Sequence, residues 1–441
     1  MQTIEQKLDV IIIGGGLAGL AAAALLARQG KSVRLLEQAQ ALGGRARTGE
    51  RDGFFFNLGP HALYRGGRGI AVLKELGISP QGAPPSVSGA YAVKGGVKHT
   101  FPAGLVSLLT TGLLNLPAKL ETGRFLGSLA KLDAEKWMGV SLRAWLDDQF
   151  SQPGTKEFLL SVFRIATYTN APDLMSAGTA IRQLQLAFAK NVLYLDGGWQ
   201  TLVDGLRREA ERAGVHIETG AKVEAVERDG SGAARGVRLA DGRMLWATAV
   251  VIAASPGVAA GLVEGGGQSS LAQWAVEAIP VKAACLDVAL SQLPQPKALY
   301  AFGVDRPLYL SVHSASARLA PAGGALIHAA MYLPPDHDRS PQEDERELES
   351  HLDLVQPGWR EVVAHRQFLP SMTVMNAMAT ARRDGTRGRP GPQVPDIPGL
   401  YVVGDWVGPE GLLADASLAS AKQAAEIIAA RQNAIAASVM A

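Results

Sequence analysis

A layered α/β fold opened by a parallel βαβ unit is the architecture this 441-residue sequence predicts. Three observations carry the prediction. The first is the run Asp9-Val-Ile-Ile-Ile13, followed at once by Gly14-Gly-Gly16-Leu-Ala-Gly19 and an alanine- and leucine-rich stretch to Gln29. The second is Val33-Arg-Leu-Leu36 ending in Glu37. The third lies near the other end, where Pro398-Gly-Leu-Tyr-Val-Val403 delivers Gly404-Asp405-Trp406 ahead of an alanine-rich helix over 416–430.

Each piece has a physical reason. A short β-branched apolar run makes a buried parallel strand. Gly14 allows the tight turn out of it, Gly16 lets the backbone approach a pyrophosphate, and Gly19 lets the helix pack close to the sheet. That helix's unpaired N–H groups and positive dipole end then face the phosphates. Gly30 sits where a helix ends in a glycine. Glu37 lies 18 residues beyond Gly19, where a carboxylate accepts hydrogen bonds from a ribose diol and repels a 2′-phosphate. An ordinary βαβ turn explains the glycines but leaves Glu37 without a role, so the stretch reads as a dinucleotide site.

Composition narrows the class. The length exceeds a single-core domain, so two lobes are expected. Hydrophobic residues make up 47% of the chain and charged residues 19%, which excludes wholesale disorder. The 43 basic and 41 acidic residues nearly cancel, leaving no electrostatic footprint for nucleic acid. Cys285 is the only cysteine, so neither an intramolecular disulfide nor a cysteine metal cluster is available, and a reducing, cytoplasmic setting is expected. Val10 to Ala27 lacks a basic leader and is broken by three glycines, so it reads as strand, turn and helix rather than a signal or membrane span.

Beyond Glu37 come Leu42-Gly43-Gly44-Arg45 and then Phe54-Phe-Phe56-Asn57-Leu58-Gly59-Pro60-His61. Here the sequence resembles the superfamily of FAD-dependent amine oxidases and phytoene desaturases. That resemblance implies FAD as cofactor, with Gly43, Gly44 and Arg45 at its phosphates; a guanidinium fork suits phosphate oxygens. Where the family carries an acid before Leu-Gly, this chain has Asn57. Phe163-Arg164-Ile-Ala-Thr167-Tyr168 with Ser176-Ala177 resembles a segment of carotenoid-desaturase-like proteins. Asp196-Gly-Gly198-Trp199 opening a helix, followed by Lys222-Val223, matches the block whose valine faces adenine, so that role falls to Val223. At the end, Gly404-Asp405 matches the flavin motif, with Asp405 toward the ribityl or phosphate region. The start of the last helix, at Ala416, then faces the flavin's N1–C2=O edge. Reduced flavin carries negative charge there, and a helix amino end stabilises an anion.

The remaining segments are read from pattern. Residues 79–89 are turn-rich and mark the exit from the first lobe. Phe101 to Leu132 reads as short amphipathic helices, either packing on their own lobe or meeting a membrane surface peripherally. Gly265 to Ser270 reads as a second crossing, and residues 281–332 as strands flooring the second lobe. Pro334 to Glu349 reads as a solvated loop and helix start, and Arg382, Arg383, Arg387 and Arg389 as an exposed basic loop. The implied architecture is a Rossmann-like FAD-binding domain from 1–88, 190–264 and 392–441, with a mixed-sheet-plus-helices substrate domain from 89–189 and 265–391.

The chemistry that follows is an FAD-dependent oxidoreductase taking hydride from a small apolar, isoprenoid- or carotenoid-like substrate onto flavin N5. Such transfer needs positioning and water exclusion more than a dedicated base, and no metal site is called for. Candidate substrate-site residues are His61, Arg164, Tyr168, Tyr194 and Trp406, each beside one of the family motifs. Alternatives are an amine or protoporphyrinogen-type oxidase, a redox-neutral flavin isomerase, or a non-enzymatic escort that binds prenyl lipids. Oligomeric state is left open by the sequence.

Overall fold

The computed structural model describes residues 8–87, 89–263 and 269–440; the glycines expected to form the crossing at 265–270 lie outside them. Two seven-stranded sheets organise the chain. In the first, β1 (Leu8–Ile13) lies between β2 (Val33–Glu37) and the strand Met244–Ile252, all parallel. Val10 faces Val33 across one ladder and Ile13 faces Ile252 across the other. His216–Thr219 extends the sheet beyond β2, and Leu400–Val402 pairs with Met244–Ile252, again in parallel. The central parallel strands, over 10–13, 247–252 and Leu400–Val402, are almost wholly apolar because helices or further strands cover both faces. Ala234–Leu239 and Val223–Arg228 continue as an antiparallel meander from the start of Met244–Ile252.

The helix α1 (Leu17–Arg28), Gln200–Arg212 and Leu413–Met440 pack together on one face of this sheet. Ala21 to Ala24 in α1 are fully buried; small side chains on every side let neighbours approach from all round. The other face is covered by the meander with the helices Pro256–Gly261 and Ser270–Glu277. Leu271 and Trp274 pack in this core, although the sequence pattern places them, within 265–391, in the second lobe.

The second sheet runs Val363–Met375, Val281–Leu290, Ala325–Leu333, Leu308–Val312, Tyr300–Gly303, Tyr91–Lys94, Val97–Thr100. Helices between Leu105 and Lys190 form a layer on one face, and Pro341–Val355 covers the other. That helix starts at a Ser340/Glu343 capping box, inside the stretch read as a loop and helix start. The basic stretch is also folded, into short 3₁₀ turns at Ala381–Arg383 and Gly385–Gly388. Arg383 pairs with Glu277, Arg387 with Asp384, and Arg389 donates to the Gly411 carbonyl. The 13-residue strand Val363–Met375 has no clear signal in the sequence. Pro370 argues against it, and is tolerated because this is an edge strand whose register jumps near that point.

Gly19 holds α1 against the first turn. A Cβ built on it would lie 1.9 Å from the Gly14 carbonyl oxygen, a backbone atom that cannot swing aside. Gly19→Ala is therefore expected to cost about 1–3 kcal/mol of stability, read as a lowered thermal midpoint. An unchanged midpoint would show that the helix can shift freely.

Candidate functional site

A cavity of about 430 Å³ runs between the two sheets, a size in the range of cofactor and ligand sites. Its first wall is the turn out of β1. Gly14 adopts φ +106°, and a Cβ there would press on the Ala253 carbonyl at 2.6 Å. Gly16, in contrast, has no atom within 4 Å of a built Cβ while its backbone lines the cavity. Gly43 donates to the Gly15 carbonyl at 2.8 Å, and Gly16 and Gly43 form a parallel bridge. Both of the latter glycine pair lie in the left-handed region, Gly43 at +112° and Gly44 at +53°, so the two glycine segments stack backbone on backbone.

Glu37, at the end of β2, accepts the Gly15 N–H at 2.7 Å and the Ala39 N–H at 2.8 Å, one on each oxygen. Each carboxylate oxygen has a second acceptor direction, and the residue lines the cavity. Val223 and Ala221 form the wall nearby, with Val258 and Leu262.

Two distant motifs meet at the middle. Arg45 Nη1 donates to Asp405 Oδ2 and to the Val374 carbonyl, both at 2.8 Å. Asp405 is 1% exposed and also accepts the Asn376 N–H at 3.2 Å and the Asn376 side-chain amide at 2.8 Å. Asn376 and Val374 come from the unforeseen strand at 363–375 and its exit. No pattern in the sequence marks them, because their partners lie 329 and 29 residues away, beyond the reach of any local period. Gly404 and Asp405 line the cavity beside Leu413, Ala414 and Ser417 of the last helix. Ala416, the residue expected there, is fully buried and is not among the residues lining the cavity. That correction follows from helix geometry, since neighbouring residues point about 100° apart.

The substrate candidates divide. His61 and Tyr168 line the cavity. The His61 ring faces the Gly59 carbonyl with Nδ1 at 3.0 Å and the Arg45 carbonyl with Nε2 at 3.1 Å. Burial lowers its pKa, with the two backbone carbonyls working the other way. Tyr168, in the left-handed region at φ +58°, donates its hydroxyl to the Pro60 carbonyl at 3.2 Å and meets Tyr332 edge-on. Arg164, Tyr194 and Trp406 lie off the cavity, a correction to their expected place. Arg164 ties Asn170 and the Arg306 carbonyl, and burial lowers its pKa. Tyr194 stacks on His313 and bonds Tyr309 and Ser311. Trp406 donates to the Ala254 carbonyl and packs in the core behind the first sheet. Asn57, in the place of the family's acid, accepts the Trp199 N–H and the Thr48 hydroxyl, so it caps the helix start at Gly198.

An opened glycine cradle, a carboxylate at the end of β2 and a half-buried Arg–Asp pair next to a helix amino end make a site whose donor set suits a flavin dinucleotide. The chain belongs to the flavin containing amine oxidoreductase family, whose model matches residues 17–297. Among curated relatives it is 28% identical over 282 residues to the human all-trans-retinol 13,14-reductase, covering 55% of this chain and 46% of that one. It is 28% identical over 285 residues to phytoene desaturase of Cercospora nicotianae, covering 57% and 46%. The chain thus spans about half the length of these relatives. A crystal structure of an oxidoreductase from Methanosarcina mazei has the same fold, with TM-score 0.74 at 20% identity, covering 96% of this chain and 100% of the other.

Gly16→Val tests the cradle. Its φ of −80° suits any residue, so the variant should keep the wild-type melting midpoint measured without cofactor yet take up at least tenfold less FAD by fluorescence titration. Normal uptake would place the pyrophosphate elsewhere. Arg45→Ala should lower stability by about 1–2 kcal/mol, given that Arg45 is partly exposed, measured by denaturant unfolding.

Proposed function

We propose that this protein is an FAD-dependent oxidoreductase that dehydrogenates an apolar, isoprenoid- or carotenoid-like substrate. The observation that carries the reading is the chemistry of the cavity wall beyond the glycines. Leu58, Tyr168, Ala283, Cys285, Met372 and Leu413 line it. The lining's charged groups are Glu37, Arg45 and Asp405, and all three are engaged with backbone or with each other in the nucleotide half. An amine arriving as a cation would find no free carboxylate to replace its hydration, and an unpaired buried charge is costly. A hydrocarbon gains from the same wall by leaving water.

Gly14, Gly16, Gly43, Gly44, Glu37, Arg45, Val223 and Asp405 are the residues we assign to the FAD. Bound FAD supplies the hydride acceptor, while the substrate's second hydrogen leaves as a proton. The two His61 ring nitrogens face the Gly59 and Arg45 carbonyls rather than the open cavity; the neutral ring donates its one N–H to one of them. Burial holds Cys285 as a thiol and Tyr168 as a phenol, raising both pKa values. The wall therefore positions and dries the substrate. The names of the retinol and phytoene relatives point to substrates of the same class.

A substrate of that class resides in lipid. Among the described residues no helix is long and apolar enough to cross a membrane. Leu105, Val106, Leu109, Leu116 and Leu120 are all more than half exposed on two successive short helices, and no acidic residue occurs from Gly95 to Leu120. This face is our candidate for peripheral membrane contact.

Anaerobic mixing of the FAD-loaded protein with micellar polyenes should bleach the flavin absorbance, whereas primary amines should leave it unchanged. The reverse pattern would replace this reading by an amine oxidase. The doubly charged variant L105D/V106D should lose at least half of the wild-type binding to vesicles in a flotation assay, at unchanged stability.

A further inference from the structure

Asp415 stands in the first turn of the last helix, between Ala414 and Ser417, whose sides line the cavity. Its own side chain points the other way and is 2% exposed. One carboxyl oxygen accepts the Gly69 N–H at 2.7 Å. The other is buried with no hydrogen-bond partner. The carboxyl is pressed onto backbone, since a Cβ built on Gly67 or Gly69 would collide with it. A single acid thus sits at the positive end of the helix that faces the cavity, half satisfied and out of water. The reading of the cavity as the FAD site makes that position matter.

Tyr64, Arg68, Arg389 and, further along the helix, Lys422 are the titratable groups around Asp415. Tyr64 is pushed up to about 12 by burial, so it stays neutral. Arg68, next to Gly69, is turned to Glu410. Arg389 reaches the loop before the helix through the Gly411 carbonyl; burial brings its pKa down to about 10, which leaves it a cation at neutral pH. Lys422 lies further along the helix and pairs with Glu75. Burial raises Asp415 to about 6, the Gly69 hydrogen bond opposing the shift.

We propose that Asp415 is a tuning residue for the bound flavin: ionised, it cancels part of the helix's positive end and lowers the flavin's reduction potential; protonated, it releases that end and raises it. Reduction adds negative charge to the flavin, and a helix amino end favours negative charge nearby within about one turn. A carboxylate in the same turn opposes it. Electron uptake and proton uptake by Asp415 are then linked, each favouring the other. The sign is fixed by that linkage. Asp415 is neutral below its folded pKa, so its effect is absent there and grows as pH rises through about 6.

The test is the flavin midpoint potential of the FAD-loaded protein, titrated with a dye couple from about pH 5 to pH 8 in wild type, D415N and D415S. The neutral variants supply the flavin's own pH slope; the serine variant guards against a misfolded asparagine one. Above the inflection both variants should reduce at a higher potential than wild type, and below it the three curves should converge. Curves that coincide at every pH, in proteins that take up FAD normally, would overturn the tuning role while leaving the FAD site intact. A Ser417→Trp variant that binds FAD with wild-type affinity would show that the helix end does not face the flavin, and would overturn both.

Discussion

The ion pair between Arg45 and Asp405 is the constraint on which the site depends. It joins residues 360 apart in sequence and fixes the turn after β2 against the strand that leads into the last helix. A carboxylate as buried as Asp405 needs several donors to be held in low dielectric. It has them in Arg45 and in both the N–H and the side-chain amide of Asn376. Because Asn376 and the Val374 carbonyl belong to the exit of an edge strand in the second sheet, one small network ties both sheets and both ends of the chain together.

Around that pair the cavity separates two kinds of surface. The nucleotide half is backbone, with glycines opened to positive φ or stripped of side chains and a carboxylate braced by N–H groups. Beyond it, the second sheet and the helix layer present aliphatic, sulfur and aromatic groups whose polar atoms are turned into backbone bonds. Tyr168 and His61 follow this rule: each lines the cavity, yet each turns its polar atoms toward backbone carbonyls, Tyr168 donating its hydroxyl and His61 its one ring N–H. Polar side chains that would bind a charged substrate are thereby withdrawn, and the wall becomes apolar without containing only apolar residues.

Local chemistry made the nucleotide half legible. Gly14, Gly16, Gly19 and Glu37 stand at a spacing with one good structural solution, since tight turn, close approach, helix packing and terminal acid all act within thirty residues. The same holds for the apolar strand ending in Gly404-Asp405. Reading failed where a residue's role depends on which way its side chain points. Arg164, Tyr194 and Trp406 stand beside the right motifs, but helix rotation, strand alternation and, for Trp406, the turn after Leu400–Val402 point them away from the cavity. Ala416 misses the cavity by one helical position, with Ala414 and Ser417 facing it instead.

From residues alone came the α/β class, the glycine turn with Glu37 behind it and the family resemblance, because each rests on interactions between near neighbours that any compatible fold must satisfy. Left to the folded chain were the partners of Asp405, the strand through Pro370, the apolar wall and the half-satisfied carboxyl of Asp415. These arise from contacts between segments far apart in sequence, and such contacts leave no period or spacing to read. They exist only once two sheets have packed and closed a dry space between them.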